Sequence, residues 1–495
     1  MPAHHGFGAI AKESVSSTGA VIFYGETSDE PPSYRALYRW SPDLGTEILV
    51  PLGGFSDSTN GSSLLVAPGY DAISTSAAGE PLLIDRTVTV EACPGSERYG
   101  QASFVSDGFG GFEARITPGL PVPGADAGWI FNGRASFRSD LAAQYSYETP
   151  AINGSGDLAF LARIYRDALC VDDPYAAYAD ALFGPDGEGG FTLVAMPQDP
   201  VPVAGPGSVL LDVNKVDIND AGEVAFIGHV RIGPSGPEPG AIYRWDAAQG
   251  LRLVALAGGS VGDVNGFDGA ILLGEGGHVA FTVDFASKGL LVEHPATGLE
   301  ARVLPGDTLP GLPDGVVSTG VFEFALNALG DVAFASRAAS ADFAITASGV
   351  WAPDASGALA LRLQSGQPAP FFGAEKTISD VGVLALDDQR DVLIRASVRG
   401  PGGWYGAAYY LVDVHGRFRL IARDGDAFEF AGLQPVWIRT LHHDRDLEHF
   451  SLDVRDSTYA SVALFYATAP EPDAFAAAFA ALSVVAGAAW RRARR

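Results

Sequence analysis

Apolar and polar positions along the chain fall into one recurring phrase, best preserved at Ile218 to Phe226, which reads INDAGEVAF. Asn219 can close an Asx-turn on its own backbone, and Gly222, three residues on, can take the positive φ of a tight hairpin. Before the turn, Val209 to Ile218 alternates apolar and polar residues in part; after it, Val224 to Ile227 is continuously apolar. The phrase therefore predicts a hairpin tip between two strands.

The phrase returns at Val15 to Phe23, Thr75 to Leu83, Ile152 to Phe160, Leu273 to Phe281 and Leu326 to Phe334. Two further copies, Leu386 to Ile394 and Leu441 to His449, carry Arg390 and Arg445 where the turn glycine stood. The eight copies lie about 61 residues apart, a longer period than that of common propeller repeats. A second apolar phrase follows most turns: LYRW at Leu37 to Trp40, LF at Leu182-Phe183, IYRW at Ile242 to Trp245, LL at Leu290-Leu291, VW at Val350-Trp351 and YYLV at Tyr409 to Val412. A third, such as LRLVA at Leu251 to Ala255, commonly ends in a Gly/Pro turn: GLPVPG (Gly119 to Gly124), GDTLPG (Gly306 to Gly311) or GQPAP (Gly366 to Pro370).

Each repeat thus predicts four short strands, and no sustained helical period appears before residue 470. Four-stranded units in such an array predict an all-β fold, a β-propeller in which each blade buries both faces against its neighbours. Ala225 and its equivalents are expected where blades approach closely, with Phe226 filling the space between them. After the eighth turn only two strands remain, and Gly6 to Val15 has no partner before it. Completing the last blade with that N-terminal strand gives eight blades, preferred here over seven plus a loose segment. The predicted domains are residues 1–467, the propeller, and 468–495, a separate segment.

Composition narrows the picture. With 61 Gly, 32 Pro and 47% hydrophobic residues, the chain has the turn density of many short strands and enough apolar material for a large core. A net charge of -27 argues against nucleic acid as a partner. Two cysteines, Cys93 and Cys170, are too few for a disulfide scaffold or a thiolate metal site. They occupy like positions in neighbouring repeats and are followed by segments expected to be loops, which leaves both a disulfide and two free thiols open.

At Pro470 the composition changes abruptly to PEPDAFAAAFAALSVVAGAAWRRARR. Ala474 to Trp490 is an apolar run that would make a helix of roughly 26 Å, the short limit for crossing a hydrocarbon core, and the arginines after it would hold its end on the cytoplasmic side. The triplet Pro470-Glu471-Pro472, the apolar run and the Arg-rich end resemble the PEP-CTERM sorting signal of Gram-negative bacteria. The turn phrase resembles the N-x-x-G-x-x-A-F tandem repeat of secreted bacterial proteins with interchangeable C-terminal anchors. These resemblances imply export, membrane retention through the tail and recognition by exosortase-type sorting machinery; they imply no activity. Met1 to Val15 carries no charged and apolar leader, so the implied export calls for a start upstream of Met1.

Candidate chemistry is sparse. The densest polar cluster, His442 to Asp446 with Glu448 and His449, offers His442, His443 and His449 as metal ligands, but its spacing matches no metalloenzyme motif and a solvated eighth turn explains it. Asp212, Asn214, Asp217, Asn219 and Asp220, and likewise Asp263, Asn265 and Asp268, are similar to calcium loops without satisfying the spacing, and turn chemistry accounts for them. No cofactor is expected; calcium is the one ion the acidity would suit. Tyr34, Tyr38, Trp40, Tyr243 and Trp245 are expected in the core. No G-x-S-x-G, P-loop or H-E-x-x-H is present, and no catalytic residue is singled out. The expectation is an exported, membrane-anchored binding or structural module at the cell surface or in a polysaccharide matrix. The alternative is an extracellular propeller hydrolase or lyase acting on polysaccharide. Acids or histidines converging on a central pocket would favour the enzyme. A functional site should lie where blades depart from the phrase, in the loops after Cys93 and Cys170 and around His442.

Overall fold

Successive side chains of a strand point to opposite faces of its sheet, and this alternation organises the whole computed structural model. It describes residues 7–15, 20–27, 35–41, 45–51, 72–75, 81–93, 96–106, 112–116, 121–126, 129–134, 151–166, 178–201, 206–259, 266–267, 269–284, 288–424, 437–443, 447, 449–455 and 461–468. Among these residues the strands form eight antiparallel sheets in chain order: sheet I over residues 7–51, II over 72–116, III over 129–195, IV over 209–256, V over 271–303, VI over 316–364, VII over 377–423 and VIII over 437–468. Six are four-stranded meanders; sheet III carries a fifth strand, Trp129–Arg134, and sheet VIII has three strands. The strands predicted before and after each turn, and the two phrases beyond them, are present as such. In sheet IV they are Val209–Ile218, Val224–Arg231, Gly240–Asp246 and Gly250–Leu256.

The Ala-Phe pair that closes each phrase is the joint between sheets. Phe226 packs with Ala159 of sheet III, Phe281 with Ala225, Phe334 with Ala280, Ile394 with Ala333 and Phe450 with Leu393, each drawn from consecutive sheets. A small side chain on one face therefore accommodates a large one from the next sheet. Full burial of each phenyl contributes about 3 kcal/mol. Within its own sheet the phenyl stacks on an aromatic of the second phrase: Phe226 on Tyr243 at 5.3 Å, Phe160 on Phe183 at 5.1 Å and Phe334 on Trp351 at 5.8 Å. Tyr243 and Trp245 are buried, as the pattern predicts.

The turn itself does more than close a hairpin. Gly222 sits at φ 75°, and Gly156, Gly277 and Gly330 take the same conformation; so does Arg390, at 66°. Asn219 is fully buried, and its Oδ1 accepts the Glu223 N–H at 3.0 Å. Its Nδ2 donates onward to the Gly274 carbonyl of the next repeat at 3.3 Å. Asn153 reaches the Asn219 carbonyl in the same way at 2.9 Å, and Asn327 the Asp387 carbonyl at 3.0 Å. A second set of bonds runs in the same direction, from a backbone N–H to a carboxylate of the next repeat. The Gly154 N–H donates to Asp220 at 2.6 Å, the Asp220 N–H to Glu275 at 2.6 Å and the Ala328 N–H to Asp388 at 2.8 Å. The phrase is thus a clasp between repeats as well as a hairpin within one.

First strands of successive sheets stand side by side: Ala151–Ile152, Val209–Ile218, Ile271–Leu273, Val316–Leu326 and Thr377–Leu386. Phe7–Val15 lies near Ala72–Thr75 of sheet II and also near all three strands of sheet VIII. It pairs with Val21–Thr27, however, so the expectation that it completes the last sheet is corrected: every sheet begins with the strand before its own turn, and sheet I keeps its first strand for itself. The eighth turn also differs from expectation. His442 and His443 belong to the strand Trp437–His443, where His443 pairs with Phe450, and one extra residue separates the two strands compared with the pairing of Leu326 with Val332. Phe450, one residue beyond the position the phrase predicts, is buried in that repeat together with Leu447. The predicted terminal helix, with Pro470, Glu471 and Pro472, and Cys170 lie outside the described residues. Among the described residues no helix is long and apolar enough to cross a membrane.

Candidate functional site

Antiparallel pairing gives each sheet two opposite edges. In sheets VI and VII one edge holds the clasp turns, next to the pairs Leu326 with Val332 and Leu386 with Val392. The other holds the hairpin loops next to Ala339 with Thr346 and Arg399 with Tyr405, together with the linker from Gln364 to Thr377. On this second edge, at sheet VII, lies a cleft of about 240 Å³.

The linker forms one wall, and its course follows from the Gly/Pro turn in the sequence. Gly366, at φ 87°, donates its N–H to the Ile378 carbonyl at 2.8 Å, and the Ile378 N–H returns to the Gln367 carbonyl at 2.9 Å. The Ala369 N–H reaches the Lys376 carbonyl at 2.9 Å, which pinches the segment between them into a protruding loop. At its tip Phe371 adopts φ 64° with its ring 53% exposed. The equivalent positions of the other Gly/Pro turns, five residues after Gly119 and Gly306, are Gly124 and Gly311, at φ 77° and 80°. There a Cβ would come within 2.8 Å of Thr192 Oγ1 and 2.9 Å of Leu361 Cδ2. The linker between sheets VI and VII thus places an exposed phenyl in a left-handed conformation, at a cost of about 1 kcal/mol or more, where the turns at Gly119 and Gly306 use glycine.

A second wall comes from the loop between Val392–Arg399 and Tyr405–Val412. Trp404 is held there by a bond from the Gly400 N–H to its carbonyl, 2.9 Å. Its indole lies against Gly406, where a Cβ would meet the ring at 2.8 Å. Lys376 crosses the opening with Nζ 3.8 Å from the Trp404 ring and 5.1 Å from that of Phe372. Arg423, at the end of Phe418–Arg423, sits 5.1 Å over Phe372 and donates from Nη1 to the Phe371 carbonyl at 2.6 Å. Asp424 accepts the Ala407 N–H at 2.7 Å, and Glu375 stands exposed on the rim. Aromatic faces, two cations and two carboxylates thus share one opening. Such a site can bind a ring with an apolar face and polar edges.

The sequence-predicted positions are distributed elsewhere. His442 and His443 are neighbouring positions of one strand and His449 opens the next; their side chains lie outside the described residues. After Cys93 the chain turns within two residues into Ser96–Ser106, so the expected loop is a tight hairpin tip. Among the described residues no three metal-ligating side chains converge. The calcium-like acids are engaged by protein donors. Asp212 accepts the His229 N–H at 3.1 Å and pairs with the His229 ring at 2.9 Å, Asp217 accepts the Leu273 N–H at 2.7 Å, and Asp220 serves the clasp. Asp263, Asn265 and Asp268 lie outside the described residues. On the first strand of sheet VI burial raises the Glu323 carboxyl; Arg395, at 3.3 Å, opposes the shift and the nearby carboxylate of Asp380, on the first strand of sheet VII, adds to it.

A family model described as a family of unknown function, DUF7453, matches residues 96–269 and again 267–436. No curated protein matches the chain. Among solved structures, the β-propeller domain of the Trilobed protease from Pyrococcus furiosus is similar over 85% of this chain and 97% of its own, at 8% identity and a TM-score of 0.36. The Dos1 propeller is similar over 91% and 90%, at 11% identity and 0.40. Polysaccharide lyase Uly1 is similar over 93% and 89%, at 13% identity and 0.34.

Proposed function

The chain belongs to this family of unknown function, and since no activity is inherited from it we propose, from its own residues, an exported binding module. In this reading the eight sheets are blades of an eight-bladed propeller. Residues 470–495 sort the chain to the envelope through exosortase-type machinery and hold it at a membrane. The bound partner is an extracellular polysaccharide, and it is met at the loop edge of sheet VII. The observation that carries the proposal is Phe371: an exposed aromatic kept in a strained conformation where two other repeats place Gly124 and Gly311. Strain of this kind persists where the surroundings over-determine it, and such places cluster at ligand sites. An enzymatic reading would rest on acids of adjacent first strands such as Glu323 and Asp380, which face Arg395 and Ser348 respectively and carry no histidine between them among the described contacts.

Affinity electrophoresis of the full chain through gels containing neutral or acidic polysaccharides tests the reading. At least one polysaccharide should retard the protein, and Trp404→Ala should abolish the retardation while leaving the melting transition cooperative. Unretarded migration through every gel, or retardation indifferent to Trp404→Ala, refutes it. Export and retention are checked by fractionating cells that make the full chain or a version lacking residues 470–495. Recovery of both in the cytoplasm overturns the sorting claim.

A further inference from the structure

Resting on the binding-module reading, we infer that the cleft of sheet VII selects a sugar bearing a carboxylate, a uronate residue of an acidic polysaccharide. Its three kinds of group, aromatic, cationic and acidic, make sense together for such a ligand. The Phe371 ring, more than half exposed beside Tyr410 at 6.5 Å, offers a flat apolar face of the size of one six-membered ring. Sugar rings present C–H groups on one face and hydroxyls around the edge, so they stack on aromatics while remaining polar at the rim.

The cations supply the second element. Lys376 is packed along Trp404 and Phe372, and its ammonium makes no ion pair with any described carboxylate. An ammonium held on an aromatic face keeps its N–H donors for whatever approaches from solvent. Arg423 is oriented by the Phe371 carbonyl and lies over the same Phe372 ring. Two cations on one small aromatic surface, in a chain of net charge -27, form a local exception to the global field.

The acids supply the third. A bare phosphate would make no use of the Phe371 face and would leave it open to solvent. A neutral sugar would leave the Lys376 ammonium without an acceptor. A uronate places its single carboxylate against Lys376 and Arg423, its ring against Phe371 and its hydroxyls within reach of Glu375. The volume of the opening, about 240 Å³, holds one ring and leaves the neighbouring units of a polymer outside.

Isothermal titration of the full chain decides the matter with three probes, the trisaccharides of galacturonate, mannuronate and glucuronate, each compared with its methyl ester. At least one free acid should bind, and at least tenfold more tightly than its ester. The preference should shrink as salt rises from 50 to 500 mM, since the charges are open to solvent. Lys376→Met, which keeps the stem on Trp404 and removes the charge, should weaken the acid at least tenfold and leave the ester unchanged. Phe371→Gly, which installs the residue found at Gly124 and Gly311, should weaken acid and ester alike while keeping or raising the melting temperature. Equal binding of acid and ester, or indifference to Lys376→Met, overturns the uronate assignment while the binding-module reading stands. Absence of binding by all six probes overturns the uronate assignment, and whether the parent reading falls with it is decided by the polysaccharide gels.

Discussion

Replacing Asp387 by asparagine should stabilise the protein, and the gain should depend on pH in a defined way. Asp387 holds the place of Asn153, Asn219 and Asn327 in the clasp turns. It keeps one of the asparagine's tasks, accepting the Asp391 N–H at 2.8 Å, but a carboxylate has no proton with which to reach the next repeat. Burial pushes its pKa up from 3.8 to about 6, and the charges of Asp391 and Asp388 add to the effect against the opposing bond from Asp391. The folded state therefore holds a proton that the unfolded chain has already lost between about pH 4 and 6. Stability falls as pH rises through that window and is flat above it. A shift of roughly two units corresponds to about 3 kcal/mol for a fully buried group; because this side chain is partly open to solvent, about 1–2 kcal/mol is the reasonable share. Asparagine keeps the bond to the Asp391 N–H and does not titrate. Urea unfolding of wild type and Asp387→Asn, followed by tryptophan fluorescence, should show the variant more stable by about 1–2 kcal/mol at pH 7.5 and nearly equal to wild type at pH 4. A gain of the same size at both pH values, or a loss at pH 7.5, refutes the reasoning.

Two further substitutions probe the clasp. Asn219→Ala removes the bonds to Glu223 and to the Gly274 carbonyl and leaves buried partners unmet; it should cost about 2–4 kcal/mol in the same assay, and a cost below about 1 kcal/mol would mean that the cross-repeat bond carries no weight. Arg390 combines a left-handed backbone with a 2.7 Å bond from Nε to Asp331 of the previous repeat. Arg390→Ala should lose about 1–2 kcal/mol, whereas Arg390→Gly should regain roughly 1 kcal/mol of that by relieving the backbone; equal losses would contradict the assigned strain.

Most of the fold was legible because the signals that specify it are local. Asn219 and Gly222 announce a hairpin, and the apolar Val224-Ala225-Phe226 run announces a strand buried on both faces. The cross-repeat half of the same phrase was not legible. Asn219 Nδ2 reaches a carbonyl 55 residues away, and nothing in the local pattern distinguishes that bond from an ordinary turn. The eighth turn misled the alignment because one inserted residue shifts the buried phenyl from position 449 to Phe450 while leaving the polar run in place. As for the site, its signal was present at the end of the third strand phrase. Beside GLPVPG and GDTLPG, the run GQPAPF carries Phe371 where those two turns carry glycine, one residue beyond the Gly/Pro turn itself. The cations of the cleft come from separate segments, Lys376 before the first strand of sheet VII and Arg423 at the end of its last, so no spacing rule would have joined them.

The joint of small on large side chains recurs from sheet III to sheet VI with the same kind of plug and socket. Ala225 receives Phe281 much as Ala280 receives Phe334, although the surrounding sequences differ. A whole repeat can therefore be duplicated or deleted by recombination without inventing a new interface, because the incoming unit already fits both neighbours. Only two features resist such exchange: the angle at which the array must close on itself, and the seam where Phe7–Val15 meets sheet VIII without sharing a ladder. Descent by copying then leaves ornament to the linkers between repeats, and the aromatic tip between sheets VI and VII is the kind of change that one linker can acquire without disturbing the joints.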